Sequence, residues 1–158
     1  MRRLILIFSM ILFLAGCDKS KEFAKSLDRV SGYVDTGLQL IDRQTAAGQM
    51  SKETGIAAAT ALKEINTFNG QLIAETKKYQ SADGQRLELT GDGKAKILAI
   101  VQSSKTVATN LLNNPDFLKT PEEKRRQLTL LVRDISETIT ALAELAAAIK
   151  PTPAGGAK

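Results

Sequence analysis

The sequence predicts an all-α protein, an up-down-up-down four-helix bundle with coiled-coil-like packing. Three observations lead to this prediction. Apolar or small residues recur at alternating steps of four and three in four separate segments of the 158-residue chain, a spacing that places them on one face of a helix. Breaks rich in Gly, Pro, Asp or Asn separate these segments. The mean step near 3.5 favours shallow helix crossings, and short connections favour antiparallel neighbours.

The first helix of the bundle is predicted over residues 21–47. Its buried face is expected to be formed by small and apolar residues at a regular spacing, namely Phe23, Leu27, Val30, Val34, Gly37 and Ile41. Gly48 follows this segment and is a suitable stop, because glycine readily takes the left-handed conformation that ends a helix.

The second helix is predicted over residues 52–81, with Ser51 as its N-cap. Its face is expected to comprise Ala58, Leu62, Ile65, Asn69, Leu72, Thr76 and Tyr79. Asn69 is the polar exception on this face. Two interpretations remain open: a buried Asn that sets the register between helices, or a partly exposed or locally bonded Asn.

Asp83-Gly84 and Gly91-Asp92-Gly93 bracket the next break. Residues 86–90 between them alternate polar and apolar side chains, which suits a short extended piece, but one such stretch cannot build a sheet. The third helix is predicted over residues 92–112 and ends before Pro115. Its face is expected to comprise Ile97, Val101, Ser104, Ala108 and Leu111.

The fourth helix has a predicted start at a capping box, with Thr120 as N-cap, Pro121 in the first turn and Glu123 at the third position. Its face is expected to comprise Leu128, Val132, Ile135, Ile139, Leu142, Ala146 and Ile149. Two prolines, at positions 151 and 153, end the helix, and residues 151–158 are predicted to be disordered.

The chain begins with Met1-Arg2-Arg3 and then continues without a charge as far as Gly16. This run is too short for a membrane-spanning helix, which needs about 20 apolar residues, and it is typical of a secretory signal peptide. It ends in Leu14-Ala15-Gly16-Cys17, which resembles the lipobox of a bacterial lipoprotein precursor. The resemblance covers residues 1–17 only. The alternatives are a plain signal peptide or an apolar N-terminal helix with an incidental Cys.

The lipoprotein resemblance implies that residues 1–16 are removed as a signal peptide and that the thiol of Cys17 receives a diacylglycerol. The mature chain would then comprise a helical bundle over residues 17–150 and the tail. Asp18, Lys19 and Ser20 resemble signals that retain lipoproteins at the inner membrane. We therefore expect the periplasmic face of the inner membrane, in preference to the outer membrane.

Composition restricts the chemistry available to this chain. The sequence has no His and one Cys, so His-based catalytic triads and His-ligated metals are absent. The formal net charge of +5 falls to +3 once the leader with its two arginines is removed, and stacking aromatics are few. We expect no enzymatic activity, no cofactor, no metal and no nucleic-acid binding.

The predicted topology places the basic residues Lys77, Lys78, Arg86, Lys94 and Lys96 at the membrane-proximal end, where anionic headgroups would attract them. The alternative is an ordinary scatter of solvated cations. At the opposite end, Phe117 and Leu118 either plug the bundle or contact an envelope protein. The expected function is that of a lipid-anchored interaction, scaffold or modulator module with an unidentified envelope partner, and a homodimer is possible. The alternative is a carrier that holds a small ligand or lipid in the bundle core.

Overall fold

The computed structural model describes residues 2–82 and 86–149, with side chains from residue 19 onward. The chain forms α1 (Arg2–Ala46), α2 (Lys52–Lys77), α3 (Gly91–Leu112), the short α4 (Pro115–Lys119) and α5 (Glu122–Ala148). Helix α1 packs against α2 and α5, and α3 packs against the same two helices. The four long helices therefore surround one core, which confirms the all-α four-helix bundle.

The core is built from the helix faces that the sequence predicts. On α5, every third or fourth residue is a buried apolar side chain, and Leu128, Ile135 and Leu142 are all fully buried. The predicted faces of α1 and α3 are buried throughout. In the predicted face of the second helix only Tyr79, which follows the end of α2, is partly exposed. Full burial of one such Leu or Ile side chain contributes roughly 1.5–3 kcal/mol, so these faces dominate the stability of the bundle.

The helices α1, α2 and α5 approach closely at Gly37. A Cβ atom at this position would lie 2.6 Å from Cδ1 of Leu62 on α2 and 2.9 Å from Cδ2 of Leu131 on α5. Glycine allows this close approach, because a side chain here would force the methyl ends of Leu62 and Leu131 to move.

The turn between α1 and α2 follows the sequence-based expectation. Gly48 has a φ of 65°, in the left-handed region that glycine adopts without strain. Ser51 is the N-cap of α2, and its side chain accepts a hydrogen bond from the N–H of Thr54 at 3.1 Å. Met50 lies between them and is buried, which closes this end of the bundle over the core.

The start of α5 differs from the prediction, because the capping box at Thr120 does not form. Pro121 is the N-cap and makes no side-chain capping bond. The reason is α4, which occupies the preceding residues and has Thr120 as its C-cap. The N–H of Thr120 donates to the carbonyl of Phe117. Asn114 caps α4 instead, through hydrogen bonds from the N–H groups of Asp116 and Phe117 to its Oδ1.

In the α2–α3 connection, residues 78–82 and residues 86–90 pair in antiparallel directions, and we call these two segments the hairpin. Helix α2 ends at Lys77, earlier than the predicted residue 81. The chain then makes an antiparallel bridge between Gln80 and Leu87, supported by a 2.7 Å hydrogen bond from the N–H of Glu88 to the carbonyl of Tyr79. Leu89 on the returning segment is fully buried, so the hairpin folds onto the end of the core.

Candidate functional site

The antiparallel arrangement brings five pieces of chain to one end of the bundle. They are the first turns of α1 after Cys17, the end of α2, the hairpin, the start of α3 and the end of α5. We call this the proximal end and define it as residues 19–25, 75–82, 86–96 and 147–149. The opposite end, which contains the α1–α2 turn and α4, is the distal end.

A hydrogen bond joins α1 to the hairpin at the proximal end. The Oγ of Ser20 accepts the N–H of Leu87 at 2.9 Å. Helix α1 runs from Arg2 to Ala46 without a break, so Cys17 precedes Ser20 within the same helix. At 1.5 Å per residue the two Cα atoms are separated by about 4.5 Å along the axis. The predicted lipidation site is therefore connected to the bundle by helix and not by a linker.

The proximal end has an excess of positive charge, whereas the rest of the described chain is close to neutral. It has eight cationic and four anionic side chains, whereas the rest of the described chain has ten and eleven. The cations are Lys19, Lys21, Lys25, Lys77, Lys78, Arg86, Lys94 and Lys96, and the anions are Glu22, Glu75, Glu88 and Asp92. All five basic residues that the sequence analysis assigned to this end are thus brought together by the fold.

Lys78 and Lys94 each have a structural role at the proximal end. Lys78 donates to the Oε2 of Glu75 at 2.6 Å, and the hydroxyl of Tyr79 donates to the Oε1 at 3.2 Å. The hydrogen bond from Lys78 outweighs the opposing effect of desolvation and lowers the pKa of Glu75, and the same bond raises the pKa of Lys78. This group is therefore a charged pair that stabilises the end of α2.

Lys94 caps the end of α5. Its Nζ donates hydrogen bonds to the carbonyl oxygens of Ala147 and, at 3.3 Å, of Ile149. These carbonyls have no partner within the helix, and the negative end of the helix dipole favours a cation there. Lys94 thus joins α3 to α5, a role that the sequence analysis did not assign to it.

A cleft of about 120 Å³ opens between residues 20–27 of α1 and the hairpin. Phe23, Leu27 and Leu87 give it an apolar floor, and Lys21, Gln80 and Arg86 contribute polar groups around it. Lys21 and Arg86 are exposed, whereas Phe23 is buried. The cleft therefore combines apolar and cationic surfaces, and it lies about one helical turn from Cys17.

At the distal end, the expectation that Phe117 contacts a partner is wrong. Phe117 is 1% exposed and belongs to the core. The cause is α4, which turns the phenyl ring inward, so that Phe117 plugs the bundle and offers no surface to another protein. Leu118 on the same short helix is 47% exposed, and its role as a partner contact stays a prediction.

The side chains of Cys17 and Asp18 lie outside the described residues, as do residues 151–158. Lys19 is partly buried, and Ser20 is engaged with Leu87 as described above. Inner-membrane sorting through residues 18–20 and the homodimer therefore stay predictions. The bond of Ser20 also shows that this residue serves the fold, whatever its effect on sorting.

Two further kinds of feature are absent from the described part of the chain. Within residues 19–82 and 86–149, no group of three or more acidic, His or Cys side chains is placed to hold a metal ion. In the part of the chain that the structure describes, no helix has the length and apolar character needed to cross a bilayer.

Comparison with known proteins gives one similarity. No protein-family model matches the chain, and no solved structure matches it. The chain is 23% identical over 134 residues to a protein described as the uncharacterized lipoprotein MG338 homolog of Mycoplasma pneumoniae. The match covers 82% of this chain and 10% of that protein, so the chain spans about a tenth of the length of the curated relative. The similarity supports the lipoprotein resemblance of residues 1–17, and no specific family is recognised.

Proposed function

We propose that this protein is a lipid-anchored helical bundle that acts as a non-enzymatic interaction module at the periplasmic face of the inner membrane. The observation that carries the proposal is the continuity of α1 from Cys17 into the bundle, together with the bond between Ser20 and Leu87. Two or more acyl chains on Cys17 would anchor the chain stably, whereas one chain binds only marginally.

The continuous helix gives the module a defined reach. From Cys17 to Ala46 the axis of α1 rises by about 45 Å at 1.5 Å per residue. With α1 standing upright on the bilayer, an anchored bundle would present its distal end at a defined height above it. A scaffold or modulator requires such a fixed presentation, because a partner in the envelope must meet the docking surface at a particular distance.

The titratable groups of the proximal end favour a binding role over catalysis. A general acid or base works best with a pKa near the operating pH. The pKa of Glu75 is shifted the other way, below its usual range, by the hydrogen bond from Lys78. With no His in the sequence, this carboxylate is poorly suited to proton transfer near neutral pH.

The carrier alternative receives no support from the packing. Large apolar side chains from all four long helices fill the centre of the bundle, among them Val34, Leu62, Ile97 and Ile139 at 0–1% exposure. A carrier would need this volume for its ligand. The exposed helix surfaces and the distal end are the regions that remain for an envelope partner.

The lipid anchor is tested by comparing the natural chain with Cys17→Ser in bacteria supplied with an alkyne-bearing fatty acid. We expect the natural chain to be labelled, shortened and found in the membrane fraction, and Cys17→Ser to be unlabelled and uncleaved. Ser103→Ala, an exposed change on α3, serves as the matched control and should behave like the natural chain. Normal leader cleavage and membrane association in Cys17→Ser would contradict the anchor.

The interaction role and the sorting are tested separately. A photo-crosslinking amino acid at Leu118 should capture an envelope protein in intact cells, and the same probe at Ser103, an exposed polar position near the middle of α3, is the control. A crosslink to a second copy would establish the homodimer instead. Failure of both positions to crosslink would oppose the interaction module.

Asp18→Ser should shift the acylated protein from inner-membrane to outer-membrane fractions.

A further inference from the structure

The short distance between Cys17 and the bundle determines which residues meet the bilayer. The headgroup region on each side of a bilayer is about 5–7 Å thick. Ser20 lies about 4.5 Å from Cys17 along the axis of α1, and it holds Leu87 of the hairpin at the same level. With the acyl chains of Cys17 in the hydrocarbon, the turns of α1 that directly follow Cys17 and the hairpin would lie at the headgroups.

The charge of this region matches anionic headgroups. The proximal end has eight cations against four anions, and Lys21, Lys77 and Lys96 are exposed. Two of the four anions are already paired, Glu22 with Lys25 and Glu75 with Lys78. Cations within a Debye length of an anionic leaflet are attracted to it, so the bundle end that must lie at the membrane is also the one with the suitable charge.

The cleft between α1 and the hairpin supplies a discrete place for one headgroup. Its volume of about 120 Å³ holds several water-sized groups, which is enough for a phosphate group. Lys21 and Arg86 beside the cleft are suitable phosphate ligands. Phe23 and Leu87 on its floor offer an apolar surface to the glycerol carbons that adjoin the phosphate.

We propose that this cleft binds the phosphate headgroup of an anionic phospholipid. The proposal deepens the proposed function and rests on it, since the anchor at Cys17 is what brings the cleft to the bilayer. The bundle is then held at two points, by its covalent lipid and by a headgroup seated beside α1. Two points of attachment fix the orientation of the bundle, which a single flexible thioether linkage does not.

The first test measures vesicle binding without the anchor. The test protein starts at residue 17 and carries Cys17→Ser. It keeps every residue of the described core, which extends from Phe23 to Ile149. Circular dichroism verifies its helicity. We expect it to co-sediment with vesicles of phosphatidylcholine mixed with phosphatidylglycerol, and not with phosphatidylcholine alone. Equal binding to both vesicles, or binding to neither, would overturn the proposal.

The second test locates the contact. Lys21→Gln combined with Arg86→Gln should weaken binding to the anionic vesicles by roughly tenfold to thirtyfold, from about fivefold for each well-placed cation. Arg43→Gln combined with Lys52→Gln removes the same charge at the distal end, where both residues are exposed, and should have little effect. Equal losses in the two double variants would place the contact elsewhere and overturn the proposal.

The third test separates the cleft from a diffuse basic surface. Ala24→Ile narrows the cleft without changing any charge and should weaken binding by roughly fivefold, as the loss of one well-placed cation would. Ala99→Ile, also at an exposed helical alanine, should leave binding unchanged. If Ala24→Ile has no effect, and Lys77→Gln with Lys96→Gln weakens binding as much as Lys21→Gln with Arg86→Gln, the surface is diffuse and the cleft is not the site.

A final arm distinguishes a lipid headgroup from a free phosphate. Glycerol 3-phosphate in solution should show no measurable binding by calorimetry, and binding as strong as that of the anionic vesicles would overturn the membrane source. Because the test protein lacks the anchor, these results do not depend on acylation. Absence of fatty-acid labelling in cells would refute the proposed lipid anchor alone, and absence of vesicle binding would refute the cleft alone.

Discussion

The Oγ of Ser20 and the backbone N–H of Leu87 are joined by a 2.9 Å hydrogen bond between residues 67 positions apart. This contact connects the first turn of α1 after Cys17 to the hairpin that closes the proximal end. A buried or half-buried N–H without such a partner would be left unsatisfied. The bond therefore makes the position of the hairpin depend on the residue three places after the predicted lipidation site.

Ser20→Ala is expected to lower the free energy of unfolding by about 1 kcal/mol, since it removes the acceptor for the N–H of Leu87. Amide hydrogen exchange at Leu87 should accelerate more than exchange elsewhere in the hairpin. Ser103→Ala is the matched control, because its hydroxyl donates only to the carbonyl of Ala99 in its own helix. Unchanged exchange at Leu87 in Ser20→Ala would show that the bond does not hold the hairpin.

Asn69 decides between the two interpretations of the polar position on α2. It is 2% exposed, and its Nδ2 donates to the carbonyl of Leu27 at 3.0 Å and to the Oγ of Ser31 at 2.8 Å. Both partners lie on α1, so the Asn is buried and bonds across helices. A shift of α2 along α1 would break both bonds, which makes Asn69 a determinant of register.

Asn69→Ala should destabilise the bundle by about 1–3 kcal/mol, because it leaves a small cavity and removes two hydrogen bonds between α1 and α2. Asn66→Ala, one turn earlier on the exposed face of α2, should change stability by less than about 0.5 kcal/mol. Urea denaturation followed by circular dichroism measures both. Similar midpoints for the two variants would mean that the register is determined by apolar packing alone.

The helices were predictable because burial repeats along each of them with the helical period. Leu62 and Ile135 belong to faces whose spacing is visible in a single segment, and so does Gly37. The absence of the capping box at Thr120 was not predictable, because that motif competes with α4, a helix of only five residues. A local motif is compatible with either arrangement, and tertiary packing of Phe117 decides between them.

The candidate site was predictable only as a concentration of charge at one end. Alternating helix directions are enough to place Lys94 and Lys96 near residues 19–25 of α1, and no side-chain position is needed for this inference. The bonds of Lys94 to the end of α5 and of Ser20 to Leu87 join residues more than 50 positions apart, and no spacing rule relates such pairs. The cleft beside α1 depends on the same long-range contacts, so its existence could not be inferred from the sequence.

Glu75 should make the stability of the bundle depend on pH in the acidic range. Its pKa is lowered in the folded state, chiefly by the hydrogen bond from Lys78. A lowered folded-state pKa gives a contribution that is present above the usual pKa of a glutamate and is lost as the pH falls through the folded value. Glu75→Gln should therefore reduce the fall in melting temperature on acidification.

The control for this prediction is Glu22→Gln, which removes the carboxylate of the exposed pair with Lys25. Melting temperatures measured by circular dichroism across the acidic range should follow the natural chain in Glu22→Gln and differ from it in Glu75→Gln. Identical profiles for all three proteins would show that the pair of Glu75 with Lys78 contributes no pH-dependent stability.

The neighbouring residues Phe117 and Leu118 allow the structural and the binding roles of the distal end to be separated. Phe117→Ala should lower the free energy of unfolding by about 3–5 kcal/mol, because it empties a fully buried site between α2, α3 and α4. Leu118→Ala should change it by less than about 0.5 kcal/mol and yet reduce the capture of an envelope partner in cells. If Phe117→Ala is as stable as the natural chain, the ring is not a plug, and the partner role of Phe117 that its burial excludes would have to be reconsidered.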